Sequence, residues 1–289
     1  MSIQTDGIRH FVSRRAHKPW RVADNAVLVV GSGKGGTGGS TVSALLALAM
    51  SEGGRRTLLI DSDELVGTLH RLLGIDVPVG LQGLRSGTQT PSDAIVTLTN
   101  RLSLLPGGPG PDAFLAENTA ALSTDERRVL VRRIGLLYGD YDVVIVDAGS
   151  RLDSVLAAAS SGVQRFVLVT ATDSVALAAT YALVKAIDHK YPGAPVDLLV
   201  NRHEDSGARA AFDHLGAASS RFLGRGIEYA GTIPEDDGLR AAILAGRSLG
   251  QCADNSQAGH ASQVVAERLL RHLDACGEPA AHRTNHGRR

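Results

Sequence analysis

The chain has 289 residues, 43% of them apolar, with 30 basic and 30 acidic side chains in balance. That content can bury a sizeable core, and the balanced charge gives no field that would favour nucleic acid or anionic lipid as a partner. The two cysteines, Cys252 and Cys276, fit neither a metal motif nor a disulfide framework and read as reduced thiols. No apolar run nears the roughly 18 residues of a membrane span. The start has no apolar signal-peptide core, so a soluble cytoplasmic protein is expected.

Residues 1–25 precede the first apolar run. Within them Ile8, Phe11 and Val12 fall at i, i+3 and i+4, flanked by Arg9 and Arg14. Residues 3–12 are therefore expected to form a partner-binding arm that orders on binding, the plain alternative being a frayed terminus. Seven short, nearly unbroken β-branched and aliphatic runs follow, at 26–30, 56–60, 102–105, 142–146, 165–169, 196–200 and 227–231. They alternate with helical patterns at 40–52, 123–138, 153–160, 174–189, 205–221, 235–246 and 257–275. Strands without inside-outside alternation are covered on both faces. The repetition predicts an α/β fold: a doubly wound, mainly parallel sheet flanked by helices. Ser123 and Glu126 spell a capping box, and 106–111 reads as a surface loop. In the last helix Val265, Leu269 and Leu273 recur every four residues and read as core rather than lipid anchor, so membrane contact is expected to be weak or absent. A single domain over 26–275 and a disordered tail over 276–289 are predicted.

In such sheets ligands bind beyond the carboxyl ends of the strands. The residues standing there are Gly31 to Ser40, then Asp61 and Asp63, then Asp147, then Asn201. Gly31, Gly33 and Gly36 spell the dinucleotide fingerprint, with Asp61 as the ribose acid, but this leaves Thr37 to Thr41, Asp63 and Asp147 without a role. A phosphate loop uses more of the pattern. Its glycines let backbone N–H groups curl round phosphates, Ser40 can ligate Mg²⁺, and Asp147 has the position of the acid that holds the metal. The plain alternative is a tight turn with helix-capping aspartates.

The stretch "KGGTGGST", Lys34 to Thr41, resembles the deviant Walker A motif of the MinD/ParA ATPases. "TLLIDSDELVGTLHRLLGI", "LSLLPGGPG", "DYDVVIVDAGSRLDSVL" and the arm "QTDGIRHFV" are most similar to the FlhG branch, also called FleN or YlxH. The resemblance implies ATP or ADP with Mg²⁺ as cofactors and a nucleotide-dependent homodimer. It implies that Gly33, Lys34, Gly35, Gly36, Thr37, Gly38, Gly39, Ser40 and Thr41 wrap the phosphates, with Lys34 reaching the partner subunit's site. Ser40 and Asp147 would serve Mg²⁺ with Asp61 beside them, and Asp63 would position the attacking water. Asn201, Arg202, Pro234, Glu235 and Asp236 would hold the rest of the nucleotide. An FlhF-type GTPase would be the partner of residues 3–12, the role would be control of flagellar number or placement, and the location would be cytoplasmic or peripheral at the cell pole or membrane. No nucleic acid is expected.

The sequence also departs from that pattern. Gly39 stands where the family has a lysine that contacts phosphates in cis, Thr68 and His70 replace an Asn and an Asp, and Ala148, Ser150 and Arg151 alter the stretch after Asp147. Arg151 reads either as a replacement cation or as an exposed loop arginine. Nucleotide binding is expected to survive on backbone donors and Mg²⁺, whereas hydrolysis, which needs charge stabilisation in the transition state, is expected to be impaired. A non-catalytic scaffold is the alternative.

Overall fold

A computed structural model of the chain describes residues 25–64, 66–75, 81–108, 123–159 and 162–277. The proposed arm and the residues after 277 lie outside them. The strands are β1 (Ala26–Ser32), β2 (Thr57–Asp61), β3 (Val96–Thr97), β4 (Leu102–Leu105), β5 (Val143–Asp147), β6 (Arg165–Thr170), β7 (Val196–Asn201) and β8 (Glu228–Ile233). They form one sheet in the order β3-β4-β2-β5-β1-β6-β7-β8. Every neighbouring pair is parallel except β3 with β4. The mainly parallel, doubly wound sheet expected from the runs is the one observed.

The helices are α1 (Gly39–Glu52), α2 (Leu69–Leu72), α3 (Leu81–Ser86), α4 (Thr124–Gly135), α5 (Leu152–Ala158), α6 (Ser174–Lys190), α7 (Asp205–Leu223), α8 (Asp237–Leu244), α9 (Leu249–Cys252) and α10 (Gln257–Gly277). They divide between the two faces of the sheet, and alternate strand residues follow them. Val27 and Val29 of β1 join Val144 and Val146 of β5 in a core covered by α3 to α7. Leu28, Val30, Val143 and Ile145 point the other way, into a core built with α1, α2 and α8 to α10. Helix α1 is buried from Val42 to Met50 except at Leu48, because α10 packs over it. A helix apolar on all sides is stable only when enclosed in this way. Val265, Leu269 and Leu273 of α10 are 2%, 0% and 7% exposed, so that stripe is core. Among the described residues no helix is long and apolar enough to cross a membrane.

At the amino ends of β6, β7 and β8 lies a buried charge network. Arg165 Nε donates to Asp197 Oδ2 at 2.5 Å, and the Arg165 guanidinium also meets Glu228 at 2.8 Å. His272 Nδ1, from α10, stands 2.7 Å from Asp197 Oδ1. Burial works against the Arg165 charge, but Asp197 and Glu228 outweigh it and hold the guanidinium firmly protonated.

Candidate functional site

The carboxyl ends of the central strands face the opposite way from that network, and the expected site residues gather there. Strand β1 runs through Ser32 into the glycine loop, and α1 begins at Gly39. Gly33 is required by a close approach: a Cβ there would lie 2.3 Å from the Ala179 carbonyl carbon and 2.4 Å from the Thr180 amide nitrogen of α6. Gly38 has φ +88°, and a Cβ would come within 2.4 Å of Asn201 Nδ2. The loop is pinned by side chains from within and without. Thr37 Oγ1 donates to the Lys34 carbonyl at 3.1 Å, Asn201 Nδ2 donates to the Thr37 carbonyl at 2.8 Å, and Arg202 Nη1 donates to the Gly36 carbonyl at 3.3 Å.

Asp61 and Asp147 end adjacent strands and are direct partners in the β2–β5 register. Both are buried, at 2% and 3% exposure. Burial, and then the charge of Asp147, push the Asp61 carboxyl up to about 7 against the backbone amides of Leu69, Asp63 and Thr68 that donate to it. Burial also raises Asp147, opposed by the Ser40 hydroxyl, the Gly149 amide and the Ser43 hydroxyl. Neither is offset by a lysine or arginine among the described residues. Two buried carboxylates beside a serine hydroxyl, short of positive charge, are a donor set that suits a hard divalent cation.

Asp63 lies two residues on, its Oδ1 accepting from the Val66 amide at 2.9 Å. Its carbonyl accepts from the Gly108 amide at 2.7 Å, where two glycines cross: a Cβ on Gly67 would lie 2.9 Å from Gly107 Cα, and one on Gly107 would lie 2.4 Å from the Asp63 carbonyl oxygen. A cavity of about 350 Å³ opens between Ser40, Asp61, Asp63, Asp147, Ser150 and Arg151. On the other side of the loop a second cavity, about 210 Å³, is lined by Gly38, Thr41, Asn201, Arg202 and Pro234 to Asp236 with apolar Leu45 and Leu239 behind. Asp236 caps α8 by accepting from the Leu239 amide at 2.8 Å. The two cavities flanking the glycine loop differ in polarity: one is lined by carboxylates, which would meet an anionic ligand only through a cation, and the other is a mixed apolar slot.

Two basic residues at the rim are paired. Arg151 forks onto Asp153 at 3.1 Å with its side chain 61% exposed, the arrangement of a solvated loop arginine. Lys34 Nζ meets Asp173 Oδ1 at 3.3 Å, both half exposed. Asp173 is a site residue that the sequence reading missed. It stands three residues beyond β6 as the cap of α6, accepting from the Ala176 amide, so it does not directly follow an apolar run. An Asp ahead of a helical pattern was the available signal.

Comparison with known proteins bears on the family and the fold. The family model described as cellulose biosynthesis protein BcsQ matches residues 25–270. The antiactivator FleN of Pseudomonas aeruginosa is 26% identical over 84% of this chain and 85% of its own length. The cell division ATPase MinD of Pyrococcus furiosus superposes with a TM-score of 0.69 at 25% identity, covering 86% of this chain and 99% of that one. The septum site-determining protein MinD of Pyrococcus horikoshii, solved with Mg-ADP, gives 0.68 at 24% identity over 88% of this chain and 99% of its own. The family model spans most of the chain and the solved MinD structures share its mainly parallel sheet, so the chain belongs to the BcsQ family of MinD/ParA-type P-loop proteins.

Proposed function

We propose that this protein is a nucleotide-switched dimer that regulates the number or placement of a cell-surface assembly, flagellar in the first reading. One observation carries it: the glycine loop, the buried pair Asp61 and Asp147, and the slot at Asn201 to Asp236 meet at the carboxyl ends of the central strands, with the Lys34 ammonium half exposed at the rim beside Asp173. A bound Mg-ATP would supply a transferable phosphoryl group there. Ser40 and Asp147 would hold the Mg²⁺, Asp61 would support them, and Asp63 would orient a water. Asn201 and the stretch from Pro234 to Asp236 would hold the base. Lys34 would exchange Asp173 for the phosphates of a second copy, at little cost because exposed ion pairs contribute at most about 1 kcal/mol. Residues 3–12 would engage an FlhF-type GTPase, and the protein would act in the cytoplasm or as a peripheral protein at the pole or membrane. A second reading places the switch in cellulose biosynthesis and is favoured by the family model that spans residues 25–270. A scaffold that never hydrolyses nucleotide fits either setting.

Gly39 sets the chemistry. A missing preorganised donor to the transferring group costs about 10²–10³ in rate. Position 39 has room for a side chain, since a Cβ there would meet only Ser32 Oγ at 3.7 Å and Ser32 Cβ at 4.0 Å. Mg-ATP affinity and phosphate release should be measured for wild type, Gly39→Lys and Gly39→Lys/Asp63→Ala. Lysine should tighten binding and raise turnover, and Asp63→Ala should remove the gain in turnover. Equal turnover in wild type and Gly39→Lys would sink the impaired-hydrolysis reading. No binding of ATP or ADP by wild type would leave only the scaffold.

A further inference from the structure

The sheet ends at β8, which has β7 as its one strand neighbour among the described residues. Along its other edge, between α7 and α10, runs an open groove of about 770 Å³. Ala230, Gly231, Ala261 and Val265 line it, together with Val264, which is 57% exposed.

The groove is polar along its length. Glu204 and Asp205, where α7 begins, stand at the end nearest the carboxyl ends of the strands. The His203 carbonyl just before them accepts from Thr232 Oγ1 at 3.0 Å. Two arginines stand towards the start of β8. Arg209, one turn into α7, and Arg268 of α10 place their guanidinium carbons 5.4 Å and 5.8 Å from the centre of the Tyr229 ring. Tyr229 and Thr232 are three residues apart, about 10 Å along a strand. Glu204, Asp205 and Arg268 have no ion-pair partner among the described residues. Arg209 meets Asp213 at 3.5 Å, with side chains 60% and 62% exposed, a pair worth at most about 1 kcal/mol and easily exchanged.

A groove with one acidic and one basic end is complementary to itself when turned round. Two copies set edge to edge about a two-fold axis bring each acidic end against the other's arginines, whereas a parallel setting puts like charge on like. We propose that this groove docks the same groove of a second copy in the antiparallel setting. Glu204 and Asp205 of each copy face Arg209 and Arg268 of the other, and Val264 packs between them. The contact is one of side chains. The β7–β8 register shifts between Leu198 and Leu199, and Gly231 has φ +137°, a bulge that breaks the regular ladder strand addition would need. The Tyr229 ring holds both guanidiniums in place beforehand, which lowers the ordering cost of pairing. The surface lies three strands from β1 and its glycine loop, so it needs no nucleotide and is separate from the dimer of the proposed function.

Sedimentation velocity of the full chain, in EDTA and without nucleotide, reads this dimer. Arg209→Glu/Arg268→Glu makes both ends acidic, and Glu204→Lys/Asp205→Lys makes both ends basic. Wild type should dimerise, and each reversed protein should do so at least about 10-fold more weakly. An equimolar mixture of the two should recover the wild-type affinity within about 3-fold, because their grooves are complementary again. Val264→Arg, at an exposed position, should also weaken the dimer by about 10-fold, and it decides the matter if thermal melts show that a reversed protein fails to fold. Wild type that stays monomeric up to about 200 µM would overturn the pairing and leave the groove to a different protein. A mixture that stays monomeric, or Val264→Arg dimerising with wild-type affinity, would overturn it as well. A dimer that forms only with Mg-ATP and ignores both reversals belongs to the nucleotide-dependent contact and counts against the groove. ADP titrations test the nucleotide reading separately and should give the same affinity for every folded variant.

Discussion

Replacing Asp197 with alanine should cost about 3–5 kcal/mol of stability, because it strands a buried cation. The magnitude follows from what the carboxylate touches. One oxygen takes Arg165 Nε and the other takes His272 Nδ1, while the side chains of Arg165 and Asp197 are 2% and 0% exposed. Alanine would leave the guanidinium in the same dry place with Glu228, whose side chain is 52% exposed and screened by water, and with the His272 carbonyl at 3.3 Å. At about 2–4 °C per kcal/mol for a chain of this size, the melting midpoint should fall by roughly 6–20 °C. Thermal and urea melts of wild type, Asp197→Ala and Asp197→Asn would measure it. Asparagine keeps one acceptor oxygen and should fall between the other two. Since the network sits at the far end of the strands from the glycine loop, the ADP affinity of the folded fraction should not change. A loss under about 1 kcal/mol would mean the pair is hydrated like a surface bridge, and the reasoning from burial would be refuted.

Two further outcomes are expected. Gly33→Ala should lose about 1–3 kcal/mol or more and weaken nucleotide binding beyond that, since the new methyl would press on the backbone of Ala179 and Thr180, which cannot rotate away; denaturant melts beside ADP titrations would separate the two effects. Asp236→Ala should cost about 0.5–2 kcal/mol at neutral pH through the lost cap of α8 and the lost bond from the Ala258 amide. Burial works against the Asp236 charge, but the amides of Leu239, Ala258, Gln257 and Gly238 outweigh it and hold its carboxyl below the ordinary range. A depressed folded value gives stability that is present above the unfolded pKa of about 3.9 and lost as pH falls through the folded one. The gap between wild type and Asp236→Ala should therefore narrow from pH 7 to pH 3 in urea melts; a gap independent of pH would contradict it.

All seven strands expected from apolar runs are present, because a strand enclosed by helices leaves an unbroken aliphatic run. Strand β3 was not legible: Val96–Thr97 is too short to show a period and exists through its antiparallel pairing with β4. Helices α2, α3 and α9 were missed for a like reason, at four, six and four residues. The site residues that directly follow strands could be read from position alone. What ties them together could not, because Asn201 meets the Thr37 carbonyl 164 residues away in sequence and Gly33 meets α6 only once the sheet is formed. The partnership of Lys34 with Asp173 was hidden in the same way.

The crossing of Gly67 and Gly107 bears on how the site could speak to the rest of the molecule. Asp63, at the edge of the carboxylate cavity, is clamped through its carbonyl to the Gly108 amide, and the Asp61 carboxylate stands against Gly107 at the same crossing. Leu81, at the start of α3, donates from its amide to the Pro106 carbonyl at 3.0 Å on the same stretch. A displacement of Asp63 is thus handed on, backbone to backbone, to the segment after β4 and to α3 at the flank of the sheet. The wiring is lateral. Under the proposed function, a shift of Asp63 on nucleotide binding would bear first on that outer flank.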